Sequence, residues 1–307
     1  MSPQSIFIYE IDKSFGPNLL VEYCLTQLHV SKDILKEFTE KHVDKEFKFA
    51  SVKKDNITYY SGRIEGVSKD EDNLYLGFIS KEDEDLLSIK SAFDTILERI
   101  RRDYSNDKRA LENLLKNSLN SILTLMEKLK EPAIIVDTIN EKTKQMLDNG
   151  DLQEARELIE LGEEVPEKLA EEIKLAEELL TEGSYKKSKK NYEKAAELAE
   201  TIQEYEIASF LKHKAEEVGL FPDLLKEQDQ LIKEIAKNIE ELQGNRLHLY
   251  HEIVRPINRW IEISSSFEEQ EKVPALLELL TNAKRADKFA KELFNIDIKI
   301  KEKFDSI

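Results

Sequence analysis

Hydrophobic and polar positions follow two different periods along this chain. Before about residue 80, short runs rich in aromatic and β-branched residues predict five strands: Ser5–Ile11, Asn18–Leu25, Phe47–Val52, Ile57–Ile64 and Leu74–Ile79. Turn chemistry separates them, as SFGPN after the first, KKDN after the third and EGVSKDEDN after the fourth. The second gap is longer. Ser31–His42 opens on a capping serine and puts Ile34, Leu35 and Phe38 on one face, which predicts a helix between strands two and three. After the fifth strand the apolar residues recur every three or four positions. Leu86, Ile89, Phe93, Ile96, Leu97 and Ile100 mark one amphipathic helix, and the leucine-rich run from Lys108 to Leu129 marks a second.

Pro132 in KEPAII should stop that second helix and set a boundary. Beyond it, AEELLTEGSYKKSKKNYEKAAELAE (Ala176–Glu200) has one glycine between two helix-forming stretches. Gly183 reads as a helix end, because glycine takes the left-handed cap conformation without a Cβ clash. Ile173, Leu175, Ala176, Leu179 and Leu180 form a stripe before it. Tyr185, Ser188, Tyr192, Ala195 and Ala199 form a large and small series behind it, so the stretch predicts a helical hairpin. Gly150, Leu152, Ala155 and Ile159 repeat the series at an offset of 33 residues (183 − 150), the mark of a stacked hairpin array. A third partial copy spans Gln203–Gly219.

The last segment begins with Leu224, Leu225, Gln228, Leu231, Ile232, Ile235, Ile239 and Leu242, a seam near period 3.5 that suits pairing with another helix. Gly244 and Asn245 should break it. A second helix, which Pro256 should kink, and a third from Val273 complete a terminal bundle. The expectation is an α+β N-terminal domain over 1–130, helical repeats over 131–219 and a helical bundle over 220–307, mostly α overall.

The order strand, strand, helix, three strands, helix, helix resembles the longin fold of the profilin-like group, with FIYEIDKSFGPNLLVEY similar to its opening hairpin. The helical array resembles the tetratricopeptide family in GSYKKSKKNYEKA and in Pro166, near where that family often ends its second helix. Its third copy lacks a separate first helix, as in soluble attachment proteins. The resemblance implies partners among small GTPases and coat, tether or fusion components, and a peripheral membrane role. On the inner face, Ile173, Glu177 and Leu180 stand where relatives that clamp a peptide carboxylate present Lys and Asn, which argues against chaperone-tail binding.

Charge narrows the partners. A formal net charge of −17 repels nucleic-acid phosphates, so nucleic acid is not an expected partner. The single cysteine, Cys24, supplies neither an intrachain disulfide nor a cysteine-based zinc site, and it reads as a buried small hydrophobe in a strand. With no apolar run long enough to span a bilayer and no signal-peptide pattern, the chain is read as soluble and cytoplasmic.

Catalytic patterns do not emerge. GxxxxGK[ST], GxGxxG and GxSxG are missing, and among 63 acidic residues no carboxylate pair, including those of Ser80–Leu87, stands out. His248, His251 and Glu252 are spaced to share a metal, but Arg255 stands where a zincin helix has its second histidine. His29, His42 and His213 have no His or Cys partner nearby in sequence. No cofactor and no metal is therefore expected.

Two basic groups remain as candidate partner-binding residues. Arg99, Arg101, Arg102, Lys108 and Arg109 surround a helix–helix joint, suited either to pairing with neighbouring carboxylates or to an anionic partner. Arg246, Arg255 and Arg259 flank Trp260, a common hot-spot composition, although Trp260 fits a core position equally well. The reading is a non-enzymatic protein–protein interaction adaptor. Two rivals stand beside it: regulation of a small GTPase, by nucleotide exchange or stimulated hydrolysis, through one of Arg99, Arg101 and Arg102, and homo-oligomerisation through the Leu224–Leu242 seam.

Overall fold

The computed structural model describes residues 3–12, 14–44, 47–66, 73–81, 86–105, 107–242, 246–267 and 272–306. Most of the turn between strands four and five, the acidic run after Ser80 and the break at Gly244 and Asn245 lie outside these residues. Met1–Leu220 form one compact unit and Phe221–Ile307 another.

Five strands, β1 (Ser5–Asp12), β2 (Gly16–Cys24), β3 (Phe49–Lys54), β4 (Ile57–Arg63) and β5 (Leu74–Lys81), make one antiparallel sheet in the order β2-β1-β5-β4-β3. The hairpins close as their turn residues require. Asp55 and Asn56 both take positive φ between β3 and β4, the two-residue turn whose twist matches the flanking strands. Between β1 and β2, the Asp12 carboxylate accepts from the Ser14 and Phe15 amides at 2.6 and 2.8 Å.

Both faces of the sheet are covered, which is why the strand residues are apolar on both sides. On one face Phe7, Tyr9, Ile11, Val52, Tyr75 and Ile79 pack with Ile34, Leu35 and Phe38 of α1 (Lys32–Thr39), capped by Ser31 as expected. Gly77 leaves room for Phe7 there, since a methyl at Gly77 would run into the ring. On the other face α2 (Leu86–Asp103) sets Phe93 edge-on against Phe49 and Phe78, and α3 (Lys108–Lys130) lies beside β1 and β2.

Pro132 is the first residue of α4 (Pro132–Asn149), a position where its missing N–H costs nothing. α4, α5 (Leu152–Thr181) and α6 (Tyr185–Thr201) then fold back on one another, and α7 (Tyr205–Leu242) follows. Gly150 and Gly183 take φ of 92° and 74°, the left-handed ends expected of them. In each turn two amides return to the helix just finished: Gly150 N to Leu147 O and Asp151 N to Met146 O, then Gly183 N to Leu180 O and Ser184 N to Leu179 O. A third turn repeats this pattern without a glycine. Gln203 N bonds Glu200 O and Glu204 N bonds Ala199 O, with Gln203 itself at φ 57°.

The 33-residue offset holds for burial. Ala155, Leu158, Gly162, Pro166 and Leu169 are buried, and so are Ser188, Asn191, Ala195, Ala199 and Ile202. It fails at two expected pairs, since Tyr192 is fully buried while Ile159 is exposed, and Tyr185 is half-buried while Leu152 is exposed. Ser188 explains the need for a small residue: its hydroxyl donates to Ala176 O at 2.7 Å, which requires α6 to approach α5 closely.

One proline behaves differently from the expectation: α5 runs for 30 residues through Pro166 instead of ending near it. α8 (Leu249–Ser266) carries Pro256 inside it, as the sequence placed it. Proline deletes one helical hydrogen bond and crowds the carbonyl four residues back. Both residues are buried, so packing around them holds the helix across the missing bond. α9 (Val273–Asp305) ends the chain, anchored by buried Leu276, Leu280 and Ala283. In the α7 seam, Gln228 and Ile235 are buried, whereas Ile232 and Ile239 are exposed.

Candidate functional site

The basic residues around the α2–α3 joint divide into two kinds. Arg99 is engaged within the first unit, donating to Ser121 Oγ at 2.8 Å and to Glu206 Oε1 at 2.5 Å. Arg101 donates to Glu65 O, and Arg102 forms a two-pronged contact with Asp103. Lys108 and Arg109 sit exposed on the first turn of α3, where the Asp107 carboxylate caps the Arg109 amide. Beside Arg99 lies a cluster of charges between α2 and the start of α7. Lys90 faces Glu217 at 3.8 Å and Glu98 faces His213 at 3.5 Å. Burial pushes the Asp94 carboxyl up and the Lys90 ammonium down, the latter opposed by Glu217.

In the second unit, Arg259 grips Glu227 with two bonds of 2.7 and 2.9 Å and reaches Glu262 at 2.8 Å. Its hydrogen bonds to Glu227 and Glu262 raise its pKa, and the same contact lowers that of Glu227. Arg259 thus ties α7 to α8. Arg246 bonds Glu241 at 2.8 Å, Arg255 is exposed, and Trp260 is half-buried.

One exposed apolar surface lies where sequence patterning assigned only a bundle helix. Along the second half of α9, Phe289, Leu293, Phe294, Ile296, Ile298, Ile300 and Phe304 are 38–77% exposed. Beside them an open groove of about 680 Å³ is lined by Leu293 and Phe294 of α9 and by Leu247, His248, His251 and Glu252 at the start of α8. The His248 and His251 pair therefore faces a recess. His251 Nδ1 lies 3.5 Å from Asp287, which Lys291 also contacts at 2.7 Å. Against the desolvation it suffers, hydrogen bonds from Lys291 and His251 keep Asp287 below the ordinary carboxylate range.

His29 departs from the expectation that it has no partner. Its Nδ1 lies 3.4 Å from Cys24 Sγ and 2.9 Å from Glu22 Oε2. Cys24 is only half-buried, at the end of β2. The spacing Cys-x4-His was visible in the sequence, but only the bend after β2 brings the two side chains together. His42 is buried and bonded inside the sheet region.

The chain matches no protein-family model, no curated protein and no solved structure. Its fold defines it as an α+β sheet region joined to helical hairpins and a terminal helical unit. No helix among the described residues is long and apolar enough to cross a membrane.

Proposed function

We propose that this chain is a non-enzymatic interaction adaptor and that the second half of α9 is its docking element. The observation that carries the reading is the exposure of seven large apolar side chains there. Burying a side chain of this size contributes roughly 1.5–3 kcal/mol, so leaving seven in water disfavours the isolated chain and favours a complex. Phe289, Leu293, Ile296 and Ile300 are spaced by four, three and four residues, a seam that fits an amphipathic helix of a partner protein. Lys291, Glu292, Asp297 and Lys299 lie along it, which gives a partner helix charges of both signs to match at the rim.

The longin-like and tetratricopeptide-like resemblances favour partners from small-GTPase-linked or trafficking-type assemblies. Regulation of a GTPase by an inserted arginine has less support, because Arg99 is held by Ser121 and Glu206.

A photoreactive residue in place of Phe294 in the full chain tests the reading. The cross-linked protein is identified, purified and titrated against wild type and a Leu293→Asp, Phe294→Asp variant. A partner bound at least tenfold more weakly by the variant supports the adaptor, and unchanged nucleotide release and hydrolysis by a GTPase partner separates binding from regulation. Cross-links only to a second copy, with mass rising with concentration in light scattering, would replace it with homo-oligomerisation. Affinity indifferent to the variant would refute α9 as the docking element.

A further inference from the structure

Glu22 and Cys24 leave the same face of β2, since alternate residues of a strand point the same way, and the bend that follows returns His29 to them. The result is one carboxylate, one thiol and one imidazole whose potential ligand atoms all lie within 4.8 Å of one another. Oxygen, sulfur and nitrogen are the three donor types that zinc accepts together. With Zn–S near 2.3 Å and Zn–N or Zn–O near 2.0–2.1 Å, a tetrahedral ion sets its sulfur and nitrogen ligands about 3.5 Å apart and its nitrogen and oxygen about 3.3 Å apart. The observed separations are 3.4 Å from Cys24 Sγ to His29 Nδ1 and 2.9 Å from His29 Nδ1 to Glu22 Oε2. Both pairs need to open by only a few tenths of an ångström to admit the ion.

The surroundings orient the set. The Val30 amide donates to Glu22 Oε1 at 2.8 Å, which turns Oε2 toward His29 as the ligand atom and fixes the plane of the carboxylate. Ser5 Oγ donates to Leu28 O at 2.7 Å and ties the bend to the start of β1. The Glu22 side chain is 11% exposed and that of His29 is 66% exposed. One side of the site is therefore set in the fold while the other opens to solvent.

The geometry points to a zinc site formed by Glu22, Cys24 and His29, with its fourth position open to water or to a ligand from a bound protein. Binding releases the thiol proton of Cys24 and leaves the other two ligands neutral imidazole and carboxylate. In its absence the same groups form a hydrogen-bonded cluster, which accounts for the observed contacts without strain. The site sits at the edge strand β2 of the first unit.

Titration of the reduced, metal-free full chain with Zn²⁺ by calorimetry tests this, with Co²⁺ as a spectroscopic stand-in. One equivalent should bind. The Co²⁺ form should show thiolate-to-metal charge transfer and the visible bands of a four-coordinate ion. Cys24→Ser and His29→Ala should each weaken binding by more than the roughly 10–100-fold that follows loss of an outer orienting partner, and Cys24→Ser should abolish the charge-transfer band. His29 is exposed, so its replacement leaves the fold intact, which unchanged circular dichroism will verify. Failure of wild type to bind Zn²⁺, or binding by both variants as tight as that of wild type, overturns the site.

Discussion

Ser61 Oγ lies 3.0 Å from His42 Nε2, and this pair sets the direction of a proton chain through the core of the sheet region. His42 Nδ1 is 2.6 Å from the Phe47 carbonyl, which can only accept, so Nδ1 carries the proton and Nε2 accepts from Ser61. Ser61 then accepts from Tyr9 Oη, 2.7 Å away. A charged imidazole would put a second donor against Ser61 and disrupt this order.

Burial pushes the His42 pKa down from 6.5 to about 4, with the Phe47 hydrogen bond opposing and Lys41 and Arg63 assisting. Because the folded value is depressed, the unfolded chain binds more protons between these pH values. Stability from this group is complete above pH 6.5 and falls as pH drops toward 4, by up to about 3 kcal/mol at roughly 1.36 kcal/mol per pKa unit. Urea unfolding at several pH values should show this loss on top of the general acid sensitivity, and His42→Phe should lack it. Equal slopes in the two proteins would contradict the assignment.

Gln203 occupies the left-handed position that Gly150 and Gly183 hold in the two preceding turns. That conformation costs an L-residue about 1–2 kcal/mol, partly balanced by the greater freedom glycine has when unfolded. Gln203→Gly should therefore raise stability by about 0.5–1 kcal/mol. Gly150→Ala and Gly183→Ala should lower it by a comparable amount. Thermal melts of the three variants provide the comparison, and destabilisation by Gln203→Gly would mean that its side chain matters more than its backbone.

Glu204, next along the chain, joins three elements. Its carboxylate is 5% exposed and receives Lys128 of α3 and Lys142 of α4, each at 2.7 Å, while Lys142 also donates to Gln203 O. Removing the acid leaves two ammonium groups without their acceptor, a change that costs about 3–5 kcal/mol for buried pairs. Lys142 can turn toward water, so Glu204→Ala should cost about 3 kcal/mol, and Glu204→Gln, which still accepts, should cost less. A shift in the urea midpoint at constant slope is the measurement. Equal effects of the two substitutions would assign the cost to packing alone.

The class of fold was legible because its signals are local. The aromatic and β-branched strand runs, Ser31 as a cap, the Asp55–Asn56 turn and the two glycine ends each depend on residues within a few positions. The 33-residue offset was equally readable, since equivalent burial follows from equivalent stacking. Pro166 misled as a helix end because local propensity yields to a buried helix face.

The rest required atoms brought from afar. Among the arginines nominated from sequence, Arg99 and Arg259 are held by carboxylates 107 and 32 positions away, and no local pattern records such distances. The convergence of Cys24 with His29, the burial of Glu204 and the exposure of the α9 face likewise arise from chain path and packing. Sequence by itself determined which segments are strands, which are helices and where they turn, because those preferences belong to neighbouring residues. Tertiary structure alone decided which charges are consumed inside each unit and which apolar side chains remain in water, because burial is a property of the assembled surface.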